Sequence, residues 1–215
     1  MLTRSRLYQR IAPDKDAKLF LIFCEGTVTE PNYFNYFNEL NSRIRIIAVP
    51  ADDQKDNTPM GLFQAAKKAI IKSENNSSPE YDLTENDEVW FVIDTDQWGE
   101  KIDELRNSAK DKNWQIAQSN PCFEVWLYFH FNKVAPAFIG HEASSNWKKN
   151  LNEIIKGGFD YRKHPIFIKE AIDNATKNYE IISKPSSTEV YLLANKLLPL
   201  IENEINEAFA KKDAH

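Results

Sequence analysis

At 215 residues and a formal net charge of −5, the chain is long enough for one substantial α/β domain and too acidic to coat DNA by electrostatics alone. An apolar fraction of 42%, with thirteen Phe, eight Tyr and five Trp, excludes a largely disordered chain. No apolar run reaches the length of a membrane span. Residues 1–18 carry Arg4, Arg6, Arg10, Lys15 and Lys18 but lack the apolar stretch of a secretory signal, so a basic N-terminal arm and a cytoplasmic protein are expected.

In chain order, Leu19 to Cys24 is a short continuous apolar run ending at Glu25-Gly26, the pattern of a strand buried on both faces. Thr29 is a candidate cap for a helix opening at Glu30-Pro31, with Tyr33, Phe34, Phe37 and Leu40 at helical spacing. Arg43 to Val49 is rich in β-branched residues and predicts a second strand. Thr58-Pro59 opens a helix with a stripe of Leu62, Phe63, Ala66 and Ile70. Ser73 to Asn86 reads as a surface loop. Glu88 to Asp94 is a third strand, Lys101 to Asp111 a helix, Trp114 to Gln118 a fourth strand, and Cys122 to Phe131 an aromatic helix.

This βαβαβαβα order predicts a mainly parallel sheet of about four strands flanked by helices, over residues 19–134. Beyond Val134 no strand is expected. Asn146–Ile155, Ile166–Ile182 and Thr188–Ala210, the last capped by Thr188, read as a helical extension, residues 135–215, packed on the core. Cys24 and Cys122 each sit among apolar residues and read as reduced, buried thiols.

In an open parallel sheet functional groups gather at the carboxyl ends of strands. Glu25 ends the first strand, and Asp94 and Asp96 end the third, two residues apart and so on one side of an extended backbone. Hard carboxylate oxygens in this pattern suit Mg²⁺ or Mn²⁺. The competing reading is that they are strand-end acids capping nearby helices. Gly26 allows a tight turn into the following helix. Glu124, just past the fourth strand, is either a first-turn acid favoured by the helix dipole or a further metal ligand. His130 reads as a satisfied helix histidine. Lys163, or Arg162 beside it, is a candidate cation for developing charge, against an ordinary solvated surface pair. Lys148 and Lys149 beside Trp147 form a local basic cluster. The chain has no His-Glu-x-x-His, Cys-x-x-Cys, Gly-x-Ser-x-Gly or P-loop motif, so zinc hydrolase, serine hydrolase and P-loop ATPase readings lose support.

Four stretches together resemble the RloB family of bacterial defence proteins: Cys24-Glu-Gly-Thr-Val-Thr-Glu-Pro-Asn-Tyr-Phe34, Val89-Trp-Phe-Val-Ile-Asp-Thr-Asp96, Ser119-Asn-Pro-Cys-Phe-Glu-Val-Trp-Leu-Tyr-Phe-His-Phe131 and Ser187-Thr-Glu-Val-Tyr191. They span most of the chain, and the third is the most specific. The resemblance implies a Toprim-like fold, as in topoisomerases, primases and OLD-type nucleases, which use a strand-end Glu plus an Asp-x-Asp. By position Glu25 matches the first element and Asp94 and Asp96 the second, while Glu124 corresponds more loosely to the additional acidic ligand of OLD-type nucleases. An RloA-type ATPase partner is implied too.

The leading expectation is a metal-dependent nuclease cleaving DNA or RNA (tRNA included) in antiphage defence and abortive infection. Asp94 and Asp96 would hold the metal, Glu25 would act as base or share a second ion, and Glu124 would assist. Two rivals stand beside it. One is a non-catalytic module of the same fold that senses nucleic acid or gates the ATPase. The other is a phosphoryl or nucleotidyl transferase acting on a small molecule.

Overall fold

The computed structural model describes residues 14, 16–51, 56, 58–73, 76–95, 98–136, 140 and 143–213. Most of the basic arm expected over residues 1–18 lies outside them. Four strands run parallel: Lys18–Cys24 (β1), Ile44–Val49 (β2), Glu88–Asp94 (β3) and Gln115–Asn120 (β4). The sheet order is β2-β1-β3-β4, with a fifth strand, Ser187–Thr188 (β5), antiparallel at the β4 edge. The arrangement is a Rossmann-like α/β fold.

The two-residue side-chain period of β1 explains why its apolar run is unbroken. Phe20, Ile22 and Cys24 point into one core, with Trp90 and Val92 of β3, while Leu19, Leu21 and Phe23 point into the other, with Val89, Phe91 and Ile93. The helices divide accordingly. Pro59–Ile70 (α2) and Lys101–Lys110 (α3) cover the second face. Thr29–Asn35 (α1), Glu124–Tyr128 (α4), Ser144–Ile154 (α5), Ile168–Asn178 (α6) and Val190–Asp213 (α7) cover the first. A right-handed crossover that moves one way along a sheet lies on the opposite face from one that moves the other way. From β1 the chain moves outward to β2 through α1. It then returns past β1 to β3 through α2 and continues to β4 through α3. This is why α1 faces the opposite layer from α2 and α3.

Local chemistry sets the helix starts. The Thr58 hydroxyl accepts the Gly61 N–H (3.1 Å) with Pro59 in the first turn, as the sequence predicts. Thr29 does not cap α1. It is already helical, and Val28 occupies the cap position without a side-chain bond. The carboxylate of Glu30 takes over the capping, folding back on its own N–H and that of Gly26. The aromatic helix expected over Cys122–Phe131 is confined to Glu124–Tyr128.

The strand beyond Val134 corrects the sequence expectation. Thr188 pairs with Ser119 and Ser187 with Asn120, and the Ser119 and Thr188 hydroxyls lie 2.8 Å apart. Two small polar residues carry no hydrophobic alternation, so periodicity cannot reveal such a strand. Next to it the Glu189 N–H donates to the Gln118 carbonyl (2.7 Å), and the Thr188 hydroxyl accepts the Val190 N–H (3.2 Å) at the start of α7. Both cysteines are free and buried. Among the described residues no helix is long and apolar enough to cross a membrane.

His130, two residues past α4, is buried in the first-face core beside Tyr33, with ring centroids 5.4 Å apart and nearly perpendicular. Its Nδ1 lies 3.0 Å from the Trp126 carbonyl, which can only accept, so Nδ1 carries the proton. Nε2 must then accept from the Tyr33 hydroxyl at 3.1 Å. Burial pushes the ring down to about 3, helped by His164 and opposed by the Trp126 carbonyl. A folded-state value below the unfolded one gives stability that is full above about pH 6.5 and lost as pH falls toward 3. The Tm advantage of wild type over His130→Gln, measured by calorimetry, is therefore expected to be constant above about pH 7 and to shrink steadily below 6.5. An advantage independent of pH between 7 and 4 would contradict the neutral buried ring.

Candidate functional site

Sheet order reverses between β1 and β3: β1 connects toward β2 on one side, β3 toward β4 on the other. The crevice beyond the carboxyl ends of two such strands is where open α/β sheets bind ligands. Glu25 leaves β1 at this point, and Asp94 closes β3. The ladder continues one step past β1, with the Glu25 N–H donating to the Val92 carbonyl (3.0 Å). The Glu25 side chain turns back across the crevice. Its Oε2 accepts the Asp94 N–H (2.9 Å) and its Oε1 the Trp98 Nε1–H (2.7 Å). Two N–H donors hold this carboxylate in one orientation.

The end of β3 is tied on its other side. The Thr95 N–H reaches the Ser119 carbonyl (2.9 Å) and the Pro121 carbonyl (3.1 Å), and the Thr95 hydroxyl donates to Ser119 O (2.8 Å). Gln118 Nε2 donates to the same hydroxyl (2.7 Å), and Gln118 Oε1 accepts from Arg106 (2.7 Å). Arg106 also pairs with Glu189, which in turn accepts from the Tyr179 hydroxyl (3.2 Å). The Ser187–Tyr191 stretch thus braces the site from behind rather than lining it.

Glu25 and Asp94 open on a cleft of about 430 Å³. Glu124, in the first turn of α4, lines it with them. Glu30 does too, and sequence reasoning missed it. Glu30 is 4% exposed, and burial raises its carboxyl to about 7, with Glu124 and Glu25 pushing the same way. Its carboxylate also explains Gly26: a Cβ there would stand 2.1 Å from Glu30 Oε2, so the glycine serves close approach rather than an unusual backbone angle. Cys122 lies between the acids. Burial first, then Glu124 and Asp94, raise its thiol well above the ordinary range. Tyr161, whose hydroxyl is pushed up by burial and by Glu124 and Glu30, reaches the same group from the loop before α6.

Asp96 lies outside the described residues. Lys163 is exposed and does not line the cleft, and Arg162 is held by Asp160 through two guanidinium bonds (2.9 and 2.8 Å). The basic side chain on the cleft wall is Lys148 of α5.

Among the described residues no group of three or more His, Cys, Asp or Glu is arranged to hold a metal ion. The donor chemistry nonetheless fits a hard divalent cation. Mg²⁺ keeps several waters and commonly takes only one or two protein carboxylates, which Glu25 and Asp94 can supply. Glu124 and Glu25 add repulsion to the burial that raises Glu30, and a cation among the acids would relieve that part. The protonated Cys122 offers no thiolate to a softer metal.

A family model described as RloB-like protein matches residues 20–197. No curated protein and no solved structure matches the chain. The matched span runs from β1 into α7 and takes in Glu25, Glu30, Asp94 and Glu124.

A carboxyl raised from 4.5 to about 7 in the folded protein gives stability that is present below pH 4.5 and lost as pH rises through 7. In chelator, Glu30→Gln is expected to raise Tm by a few degrees at pH 8 and to change it little at pH 5. A Tm change of equal size at both pH values would rule out ionisation of the buried Glu30 carboxyl as its source.

Proposed function

The chain belongs to the RloB-like protein family, and on that premise we propose that it is a metal-dependent nuclease, hydrolysing phosphodiester bonds of DNA or RNA in antiphage defence beside an RloA-type ATPase. The observation that carries this reading is the convergence of Glu25, Asp94 and Glu124 on one cleft at the switch point of a parallel sheet. The acids reach it from three separate elements: the end of β1, the end of β3 and the start of α4. Capping alone gives no reason for acids from three elements to share a cleft. The Asp-x-Asp spacing of Asp94 and Asp96 in the sequence supports the Toprim-like assignment.

Glu25 and Asp94 are the residues that would hold Mg²⁺ or Mn²⁺, with Glu124 lining the same cleft. Bound there, the ion would supply positive charge for the phosphoryl oxygens and lower the pKa of an attacking water. The chain's own groups do the rest. The Asp94 and Trp98 N–H groups keep the Glu25 oxygens aimed into the crevice, where one can accept a proton from water. Glu30, near 7, holds a proton through part of the neutral range and limits the negative charge that a phosphate meets. Phe123 contributes an apolar surface to the cleft beside the acids.

With Mg²⁺ or Mn²⁺, and with the ATPase supplied, the protein is expected to cleave DNA or RNA oligonucleotides. Glu25→Gln and Asp94→Asn are each expected to reduce the rate ~100-fold or more, the scale of losing a catalytic metal contact or base. The same substitutions should abolish any rise in Tm produced by the divalent ion. Unchanged cleavage in both variants would sink the site. Tight binding of nucleic acid without cleavage in wild type would favour a sensing module of the same fold.

A further inference from the structure

The cleft as read so far contains a contradiction. Glu25, Glu30, Asp94 and Glu124 all border it, in a chain whose net charge is already −5, yet the proposed substrate is a polyanion. A single divalent ion among them leaves little positive charge facing outward, so a cation from the protein itself is needed where the strand enters. Lys148 is the basic side chain that lines the cleft among the described residues.

Its position is fixed by packing, although its head is exposed. Trp147, the preceding residue, is fully buried and meets Tyr128 of α4 edge-on, with ring centroids 5.6 Å apart and planes at 87°. That contact bolts α5 onto the helix that carries Glu124, so Lys148 and Glu124 keep one spacing. Ser144, one turn earlier on the same face of α5, also lines the cleft and orients that face toward it.

The charge of Lys148 is uncommitted. Among the described residues it forms no ion pair. The other candidates are engaged elsewhere: Arg162 forks onto Asp160, Arg106 joins Glu189, and Lys101 lies 5.5 Å above the Trp98 ring. Surface lysines on helices are ordinary. This one differs in standing on the wall of an acid-lined cleft with no carboxylate paired to it. A compact, solvated ammonium in that place suits a phosphate oxygen, with which it makes a charge-assisted bond.

We infer that Lys148 is the phosphate-contacting residue of the acidic cleft, receiving a non-bridging oxygen of the nucleic acid strand beside Glu25 and Asp94. The inference rests on the reading of the cleft as a phosphodiester site.

The test measures binding by fluorescence anisotropy, using full-length protein and fluorescein-labelled phosphorothioate oligonucleotides, DNA and RNA, in Ca²⁺. Titrations cover about 50–200 mM salt, and circular dichroism checks that each variant is folded. Lys148→Met is expected to weaken binding ~5–10-fold at the low-salt end. It should also make the slope of log K against log salt shallower by ~0.7, the release of one counterion from a single strand. Lys148→Arg should recover most of both effects, and Lys149→Met, which removes the neighbouring charge on the same helix, should change affinity less than ~2-fold. Wild-type affinity and slope in Lys148→Met would overturn the inference while leaving the cleft reading to stand on Glu25→Gln cleavage. Failure of wild type to bind either oligonucleotide would overturn both.

Discussion

Burial of β1 and β3 on both faces is the constraint from which the rest of this structure follows. Their side chains alternate between two apolar cores, so no charged group can sit along either strand without being stranded in low dielectric. Polar chemistry can emerge only where the strands end. At those ends the ladder loses its partners, and a buried backbone N–H left unpaired costs ~1–3 kcal/mol. Glu25 meets that need by accepting the Asp94 N–H. The same carboxylate is therefore both a cap on the sheet and a member of the candidate site. Gln at this position keeps an acceptor for the amide, whereas Ala would confuse the loss of chemistry with a defect in the strand end.

The opposite side of β3 is held by a longer route. Arg106 from α3, Gln118 from β4 and Glu189 from the β5–α7 junction form one connected set, and Gln118 passes it to the Thr95 hydroxyl, one residue beyond Asp94. The residues at 187–189 are nearly seventy positions from β4 in sequence, and pairing between Thr188 and Ser119 brings them there. A two-residue strand adds little stability through its own ladder bonds. Its consequence is positional, because it fixes the part of the chain that anchors Thr95. The helices after residue 135 share the first-face core with β1, β2 and β3, so they belong to the packing that sets the site.

Legibility of the sequence followed the range of the interactions. β1 and β3 were readable because burial on both faces leaves an unbroken apolar run, β2 because of its β-branched residues, and Thr58-Pro59 because a cap is a contact three residues long. Glu25 and Asp94 were readable because strand ends are defined locally. Glu30 was not. An acid in a first helical turn has an ordinary explanation in the helix dipole, and its burial depends on tertiary packing that no local pattern shows. The nearest local sign was Gly26 four residues earlier, which read as a turn glycine and proved to make room for the Glu30 carboxylate. β5 failed for want of alternation. Lys163 and Lys148 looked alike in sequence, and the Trp147–Tyr128 contact that separates them joins residues nineteen apart on different helices.

The electrostatics of the cleft tie these pieces together. Four carboxylates at one crevice would be poorly tolerated if all were ionised, and Glu30, raised to about 7 chiefly by burial and further by Glu124 and Glu25, is the one that gives way first. The protein has three ways to relieve it: a proton on Glu30, a divalent ion between strand ends, or a cation on the wall. They differ in what they permit. A proton relieves repulsion without attracting an anion. A divalent ion held by Glu25 and Asp94 would attract one, at the depth of the acids that hold it. Lys148, at the cleft wall and without an ion pair among the described residues, is the group whose field reaches outward, and it is carried by the helix packed on α4, where Glu124 sits. On the proposed reading, a nucleic acid strand approaching this acidic protein would meet the ammonium first and the carboxylates behind.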